Sequence, residues 1–117
     1  MEHRMDMRFP LRLHAAVFSN DNRLEGITQD LSFEGACVQL APTQDIKPQL
    51  RQPVRVQLDL GTSTLELTAM VVRVDEQCIG LMFGRYSNAA EQQLGTLFTG
   101  WADRYGSALF GQRTSAR

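Results

Sequence analysis

Apolar and polar side chains alternate along most of the first 84 residues. The clearest example is the series Val54, Val56, Leu58 and Leu60, in which polar side chains fill the positions between. Alternation with a period of two predicts an antiparallel strand that buries one face. By the same pattern we expect six strands, at about 11–18, 23–31, 36–41, 54–60, 64–75 and 78–84.

Polar residues and glycines separate these predicted strands. The segment 19–22, Ser-Asn-Asp-Asn, has the composition of a hairpin turn, because Asn and Asp tolerate positive φ. The far end of the fifth strand, 70–74, is apolar on both faces. Gly80 lies inside the sixth strand, where a glycine usually marks a bulge or a close backbone approach.

After residue 86 the apolar spacing changes to three and four residues. The recurring side chains are Ala90, Leu94, Leu97, Phe98, Trp101 and Tyr105. This spacing predicts an amphipathic helix, and the segment from Asn88 to Glu91 has the spacing of a capping box. The chain is therefore predicted to be mainly β, a small six-stranded antiparallel β-barrel with a C-terminal α-helix.

These patterns divide the chain into four parts. We expect a flexible arginine arm at 1–9, the barrel at 10–86, a helix that packs on the barrel at 87–111 and a frayed tail at 112–117. A barrel of this size is filled by its own side chains, so a ligand has to bind at a rim or on an outer face.

Composition excludes several classes of protein. A chain of 117 residues with 43% hydrophobic residues fits one globular domain, and a net charge of −1 disfavours a large DNA or RNA footprint. No apolar run is long enough to span a bilayer, and the first residues lack a signal peptide. We therefore expect a soluble cytoplasmic chain without membrane contact, in which Cys37 and Cys78 are reduced core thiols.

Catalytic and metal-binding patterns are missing from the sequence. It contains no GxSxG, HExxH, CxxC or GxxxxGK[ST] motif, and His3 and His14 lack the spacing of metal ligands. An independent enzyme is therefore the least favoured class, and we expect no catalytic residue, metal or cofactor in this domain.

Two short patterns point to ligand binding. Of the 12 basic residues all but Lys47 are arginines, and two of them form the pattern Arg4-x-x-x-Arg8. The second pattern is Asp30-x-Ser32-x-x-Gly35. A purely structural interpretation of the second pattern stays open, because Asp and Ser cap turns and Gly supplies positive φ.

The order of these features resembles the PilZ domain, the bacterial receptor for cyclic di-GMP. The resemblance covers about residues 4–86 and includes a closing hairpin formed by 71–75 and 80–83. It implies that cyclic di-GMP is bound by the motif residues Arg4, Arg8, Asp30, Ser32 and Gly35. Guanidinium groups suit phosphate oxygens and guanine edges, and a carboxylate suits the N–H donors of guanine. Because Asp30 and Ser32 are two residues apart, we expect them to point to one side, and Leu31 and Phe33 to the barrel.

A narrower resemblance is to the C-terminal PilZ module of the bacterial cellulose synthase catalytic subunit. It rests on 3–10, on 28–32 and on the helix end 98–110. It implies an allosteric module excised from a membrane glycosyltransferase that polymerises glucose from UDP-glucose at the cytoplasmic face of the bacterial inner membrane. Its partner would be the catalytic domain of that parent chain, and the messenger would relieve autoinhibition. In that family an arginine after a His, as in His3-Arg4, tends to be the second motif arginine. The first motif arginine would then lie upstream, and Arg8 would be a neighbouring residue and not a motif residue.

A competing hypothesis from another class is a degenerate PilZ adaptor that binds a protein and no nucleotide. Its candidate surface is the helix face that carries Leu94, Leu97, Phe98 and Trp101. Amphipathic helix faces more often pack against their own domain, so the barrel is the other candidate for what covers these side chains.

Overall fold

The fold is a closed six-stranded antiparallel barrel followed by one helix, as the alternation predicted. The computed structural model describes residues 7–42 and 47–106. Arg4, the predicted helix end beyond 106 and the tail 112–117 lie outside the described residues. The elements are β1 (His14–Ser19), β2 (Asn22–Leu31), β3 (Gly35–Leu40), β4 (Pro53–Asp59), β5 (Thr64–Val74), β6 (Cys78–Phe83) and α1 (Asn88–Trp101), which continues as a π-helical turn at Ala102–Gly106.

The strands close the barrel in the order β1-β2-β3-β6-β5-β4, and β1 pairs with β4. The strands present mainly apolar side chains to the interior, where β-branched and leucine side chains fill the space between the walls. The side chains with less than 2% exposure include Val17, Val38, Val56, Leu58, Val71 and Ile79. The interior is thus packed by the protein itself, and the outer surface is left for ligands.

Two of the tight turns contain residues at positive φ. Asn20, in the β1–β2 hairpin, has a φ of 58°, as the polar turn composition predicted. Gly61, between β4 and β5, has a φ of 94°, and its N–H donates to the Asp59 carboxylate at 2.8 Å. These turns keep β1 beside β2 and β4 beside β5.

Helix α1 packs on the barrel through Ala90, Leu94 and Phe98, which are buried. Its N-cap is Ser87, whose hydroxyl accepts from the Ala90 N–H at 3.1 Å. The predicted capping box from Asn88 to Glu91 is therefore wrong by one residue, because position 88 already has helical geometry. In the described part of the chain, no helix is long and apolar enough to cross a membrane.

The two cysteines lie on the outer face of the barrel. Both are free thiols and only partly buried. The expectation of core positions is wrong because inward positions on β3 and β6 are taken by Ala36, Val38, Ile79 and Leu81. Cys37 pairs with Gly80 and Cys78 with Gln39, so the thiols lie on neighbouring strands.

Candidate functional site

A β-bulge in β2 turns Asp30 to the outside of the barrel. Leu24, Gly26 and Thr28 point inward in strict alternation, and that alternation would also point Asp30 inward. The pairing with β3 shifts between Thr28 and Asp30, however, so that Gln29 is the extra residue. Asp30 then lies on the outer surface and Leu31 returns to the core. The bulge thus places a carboxylate on the surface without interrupting the buried face.

The segment before β1 is fastened to this end of β2. The N–H of Phe9 donates to the carbonyl of Leu31, and the N–H of Leu31 donates back to the carbonyl of Phe9, both at 2.9 Å. The buried Thr28 hydroxyl accepts from the Leu13 N–H at 2.8 Å and donates to the Leu11 carbonyl at 2.6 Å. These bonds fix where the arginine arm meets the barrel.

Arg8 and Asp30 form an ion pair at this point. The distance from Arg8 Nη1 to Asp30 Oδ1 is 2.6 Å, and the two side chains are 45% and 33% exposed. The structure therefore brings together one residue of each sequence pattern, although 22 positions separate them in the chain. An exposed pair of this kind contributes little to stability, about 0–1 kcal/mol, so its groups can exchange partners at low cost.

Ser32 is buried inside the turn between β2 and β3. Its hydroxyl accepts from the N–H groups of Glu34 and Gly35, both at 3.1 Å, and lies 3.3 Å from the Gly35 carbonyl oxygen. The expectation that Asp30 and Ser32 point to one side is wrong, because the chain leaves the strand after Leu31 and folds the hydroxyl under the turn. In this structure Ser32 shapes the turn that follows Asp30.

Gly35 is required by the close approach of β3 to β6. A Cβ atom at this position would lie 2.1 Å from the Leu81 carbonyl oxygen. Gly61 is the one glycine at positive φ in the described segments, so the turn interpretation of Gly35 as a positive-φ residue is wrong. The sterically demanding contact at Gly35 is therefore with the neighbouring strand.

A second bulge, in β5, turns Arg73 outward. Leu65, Leu67, Ala69 and Val71 point inward, and the pairing with β6 shifts between Val71 and Arg73. The extra residue is Val72, so Arg73 faces outward and Val74 returns towards the core. Sequence reasoning missed Arg73. The sequence feature that could have pointed to it is the segment 70–74, where apolar residues occupy both faces of the strand and the alternation breaks.

The two bulges place their charged residues in one row across the outer face. Asp30 pairs with Cys37, Cys37 with Gly80, and Gly80 with Arg73. Nη2 of Arg73 lies 3.2 Å from Sγ of Cys37, and Nε of Arg73 lies 3.3 Å from Oδ2 of Asp75. We call these four positions, Asp30, Cys37, Gly80 and Arg73, the outer row.

The outer row sets the electrostatics of the Cys37 thiol. Burial raises its pKa, and the neighbouring Cys78 raises it further, whereas the Arg73 guanidinium acts to lower it. Asp30 adds to the rise. The net direction is upward, so Cys37 is held in its neutral thiol form near neutral pH.

An aromatic cluster supports the site from the side of the helix. Phe33, in the turn after Asp30, meets Phe98 edge to face at a centroid distance of 4.9 Å. The Tyr86 hydroxyl donates to the Phe33 carbonyl at 2.6 Å. The turn is therefore held by α1 and by the segment that leads into it.

Possible metal ligands are not clustered in the described ranges. No group of three or more His, Cys, Asp or Glu side chains there could hold a metal ion. The site offers guanidinium donors, a carboxylate acceptor and a tight turn on an open surface. These groups can bind an anion that also carries N–H donors.

Comparison with known proteins identifies the family. A sequence model of the PilZ domain matches residues 2–100. The sequence matched no curated protein.

The solved structures that share the fold include the following three. The PilZ domain of CeSA from a cellulose-synthesizing bacterium is 24% identical, with a TM-score of 0.66, and the match covers 81% of this chain and 97% of that one. The PilZ domain of YcgR from Escherichia coli, solved with cyclic di-GMP, is 16% identical, with a TM-score of 0.74 and coverage of 92% and 98%. The motility inhibitor MotI/DgrA of Bacillus subtilis is 18% identical, with a TM-score of 0.70, and the match covers 88% of this chain and 53% of that one.

Proposed function

Because the chain belongs to the PilZ domain family, whose members are receptor-type regulatory domains and not catalysts, we propose that it binds cyclic di-GMP at the Arg8–Asp30 pair. The observation that carries this proposal is the 2.6 Å contact between Arg8 and Asp30. It brings the arginine arm and the Asp30-x-Ser32-x-x-Gly35 turn to one exposed place. Neither pattern by itself would form a site.

The chemistry of the pair is complementary to a guanine nucleotide. The Asp30 carboxylate can accept from the N1–H and N2–H groups of a guanine edge. The Arg8 guanidinium can donate two parallel hydrogen bonds to a phosphodiester or to O6 and N7 of guanine. In the structure these two groups pair with each other, and binding would exchange this solvent-exposed pair for contacts to the nucleotide.

The other motif residues have separate roles in this proposal. Arg4, which lies outside the described residues, is proposed to bind the ligand as part of the same arm. Ser32 and Gly35 are proposed to act by holding the turn beside which the base lies, because the Ser32 hydroxyl and the Gly35 backbone already have partners within the barrel. Binding a ligand has an entropic cost, so affinity depends on several contacts forming together.

The domain is further proposed to be the cytoplasmic regulatory module of a membrane cellulose synthase, where binding would relieve autoinhibition of the catalytic glycosyltransferase domain. The support is the run His3 to Pro10 in the sequence and the similarity to the CeSA PilZ domain over almost its whole length. Binding of the messenger and membership of a synthase are separate claims, and the first can be tested on this chain alone.

Calorimetric titration of the full chain with cyclic di-GMP, with GTP as control ligand, tests the function. Asp30→Ala and Arg8→Ala should each lower affinity about tenfold or more, because each removes a charge-assisted contact. Their melting temperatures should stay near that of the wild type, since the pair is exposed. If both variants bind as tightly as the wild type, the site is misplaced. If the folded wild-type chain does not bind, cyclic di-GMP is not its ligand.

The adaptor alternative loses part of the surface first considered for it. Leu94 and Phe98 are buried against the barrel, and Leu97 and Trp101 are half-buried. The helix face therefore packs mostly on its own domain. If the folded chain does not bind the nucleotide in any titration, that result favours the adaptor hypothesis.

A further inference from the structure

The outer row contains an arginine that neither sequence pattern includes. We propose that Arg73 is a ligand-binding arginine that contacts the second half of the cyclic dinucleotide, opposite Arg8. This inference rests on the proposed function and adds to it a residue on β5, three strands away from the strand that carries Asp30.

The first argument is the placement of the two bulges. Without them, the alternation of β2 and β5 would point Asp30 and Arg73 into the barrel interior, where an unpaired charge is costly. Each bulge inserts one residue, Gln29 or Val72, and so brings the next charged side chain to the outer face. Asp30 and Arg73 therefore lie in the same outer row, although they belong to separate parts of the chain. A bulge that only terminated pairing would not align them.

The second argument is the path of the Arg73 side chain along the sheet. Gly80 faces outward between Arg73 and Cys37, and it has no side chain to block the way. A Cβ atom on Gly80 would lie 3.1 Å from the Cβ of Arg73 and 3.8 Å from its Nε. Arg73 therefore lies across Gly80, and its Nη2 reaches Cys37, the direct neighbour of Asp30. The guanidinium is brought close to the Arg8–Asp30 pair from the opposite side.

The third argument is that the present contacts of Arg73 are weak. Its side chain is 55% exposed, and its carboxylate partner Asp75 is 59% exposed, with a separation of 3.3 Å. Ion pairs that water can reach contribute little, and a thiol is a poor hydrogen-bond acceptor. The guanidinium can therefore exchange both partners for a stronger anionic or guanine acceptor at little cost.

The fourth argument is the symmetry of the ligand. Cyclic di-GMP has two identical halves, and each half has one phosphodiester and one guanine edge. A surface that binds one half through the Arg8 guanidinium leaves an equal set of acceptors on the other half. Arg73 supplies the same planar donor group on the far side of Asp30 and Cys37, where the second half has to lie.

Titration of the full-length variant Arg73→Gln tests the proposal. The matched control is Arg55→Gln on β4, because Arg55 is 57% exposed, pairs with Glu66 and lies over the Phe18 ring, away from the outer row. Arg73→Gln should lower the affinity for cyclic di-GMP about fivefold or more, whereas Arg55→Gln should stay within about twofold of the wild type. Circular dichroism melting of both variants should match the wild type, since each removes an exposed side chain.

Thiol labelling gives a second readout that needs no change at Arg73. In the Cys78→Ser chain, a ligand that lies over the outer row should slow maleimide modification of Cys37 about fivefold or more, and GTP should not. If the wild type binds cyclic di-GMP but Arg73→Gln binds equally well and Cys37 is unprotected, the inference about Arg73 is wrong and the proposed function stands. If the folded wild type does not bind the nucleotide at all, the proposed function and this inference fall together.

Discussion

The phenyl ring of Phe9 stacks on that of Phe98, with 4.5 Å between ring centroids and 9° between ring planes. Trp101 meets the same Phe9 ring edge to face at 5.4 Å. Phe9 follows Arg8 in the chain and is also hydrogen-bonded to Leu31. The described end of the arm, Arg8 and Phe9, is therefore held between the end of β2 and the last turn of α1.

Replacing Phe9 tests this support. Phe9→Ala should lower the free energy of unfolding by roughly 2 kcal/mol, less than for a fully buried phenylalanine because the ring is only half-buried. It should also weaken cyclic di-GMP binding, since Arg8 loses its fixed position. Urea denaturation and calorimetry measure the two effects. Phe9→Leu keeps most of the apolar contact, so it should retain most of the stability and most of the binding affinity. Equal losses in Phe9→Ala and Phe9→Leu would contradict a packing role.

Ser32 is expected to matter for stability. Ser32→Ala leaves the N–H groups of Glu34 and Gly35 without the hydroxyl that accepts from them, which costs about 1–3 kcal/mol. Urea denaturation measures this loss. The exposed Ser63 gives a control, and Ser63→Ala should change stability by less than about 0.5 kcal/mol. An unchanged midpoint for Ser32→Ala would show that the turn does not need its hydroxyl.

Gly35→Ala should prevent native folding or destabilise the barrel by several kcal/mol. The added methyl group would lie 2.1 Å from the Leu81 carbonyl oxygen, which is backbone and can move only if β3 and β6 separate. The control is Gly100→Ala, because nothing lies within 4 Å of a methyl group there and alanine favours a helix by about 1 kcal/mol. Thermal melting should thus shift in opposite directions for the two variants, and equal shifts would rule out the steric argument.

The raised pKa of Cys37 predicts how stability depends on alkaline pH. Burial is the main cause of the rise, so the folded state holds the thiol proton more tightly than the unfolded state does. This contribution is constant below the unfolded pKa of about 8.5 and is lost as pH rises through the folded pKa. Urea denaturation at pH 7.5 and at higher pH should show a steeper loss for the wild type than for Cys37→Ala. Parallel losses would mean that Cys37 does not titrate differently on folding.

The strands, the helix and the barrel could be predicted from the sequence because each depends on a period that the chain carries locally. Val54, Val56 and Leu58 alternate and are buried in β4 as expected, and Leu94 and Phe98 follow the helical spacing and are buried in α1. The two patterns that hold Arg8 and Asp30 were also visible, since each is contiguous. What they could not predict is the contact between them, which depends on the bridge from Phe9 to Leu31.

The expectation that Leu31 points to the barrel already implied an outward Asp30, but only the tertiary structure shows what brings both Asp30 and Arg73 to the outer face. Strict alternation from the start of each strand would assign both to the interior, and both face outward because β2 and β5 each shift register against a neighbouring strand. A bulge is a property of two paired strands, so the sequence of one strand does not specify it. The same holds for Gly35. A side chain there would collide with Leu81 on β6, which lies 46 positions later in the sequence. The spacing of apolar residues is a property of one segment of sequence. The register of paired strands and the close approach of their backbones are set only when the strands pack together in the fold.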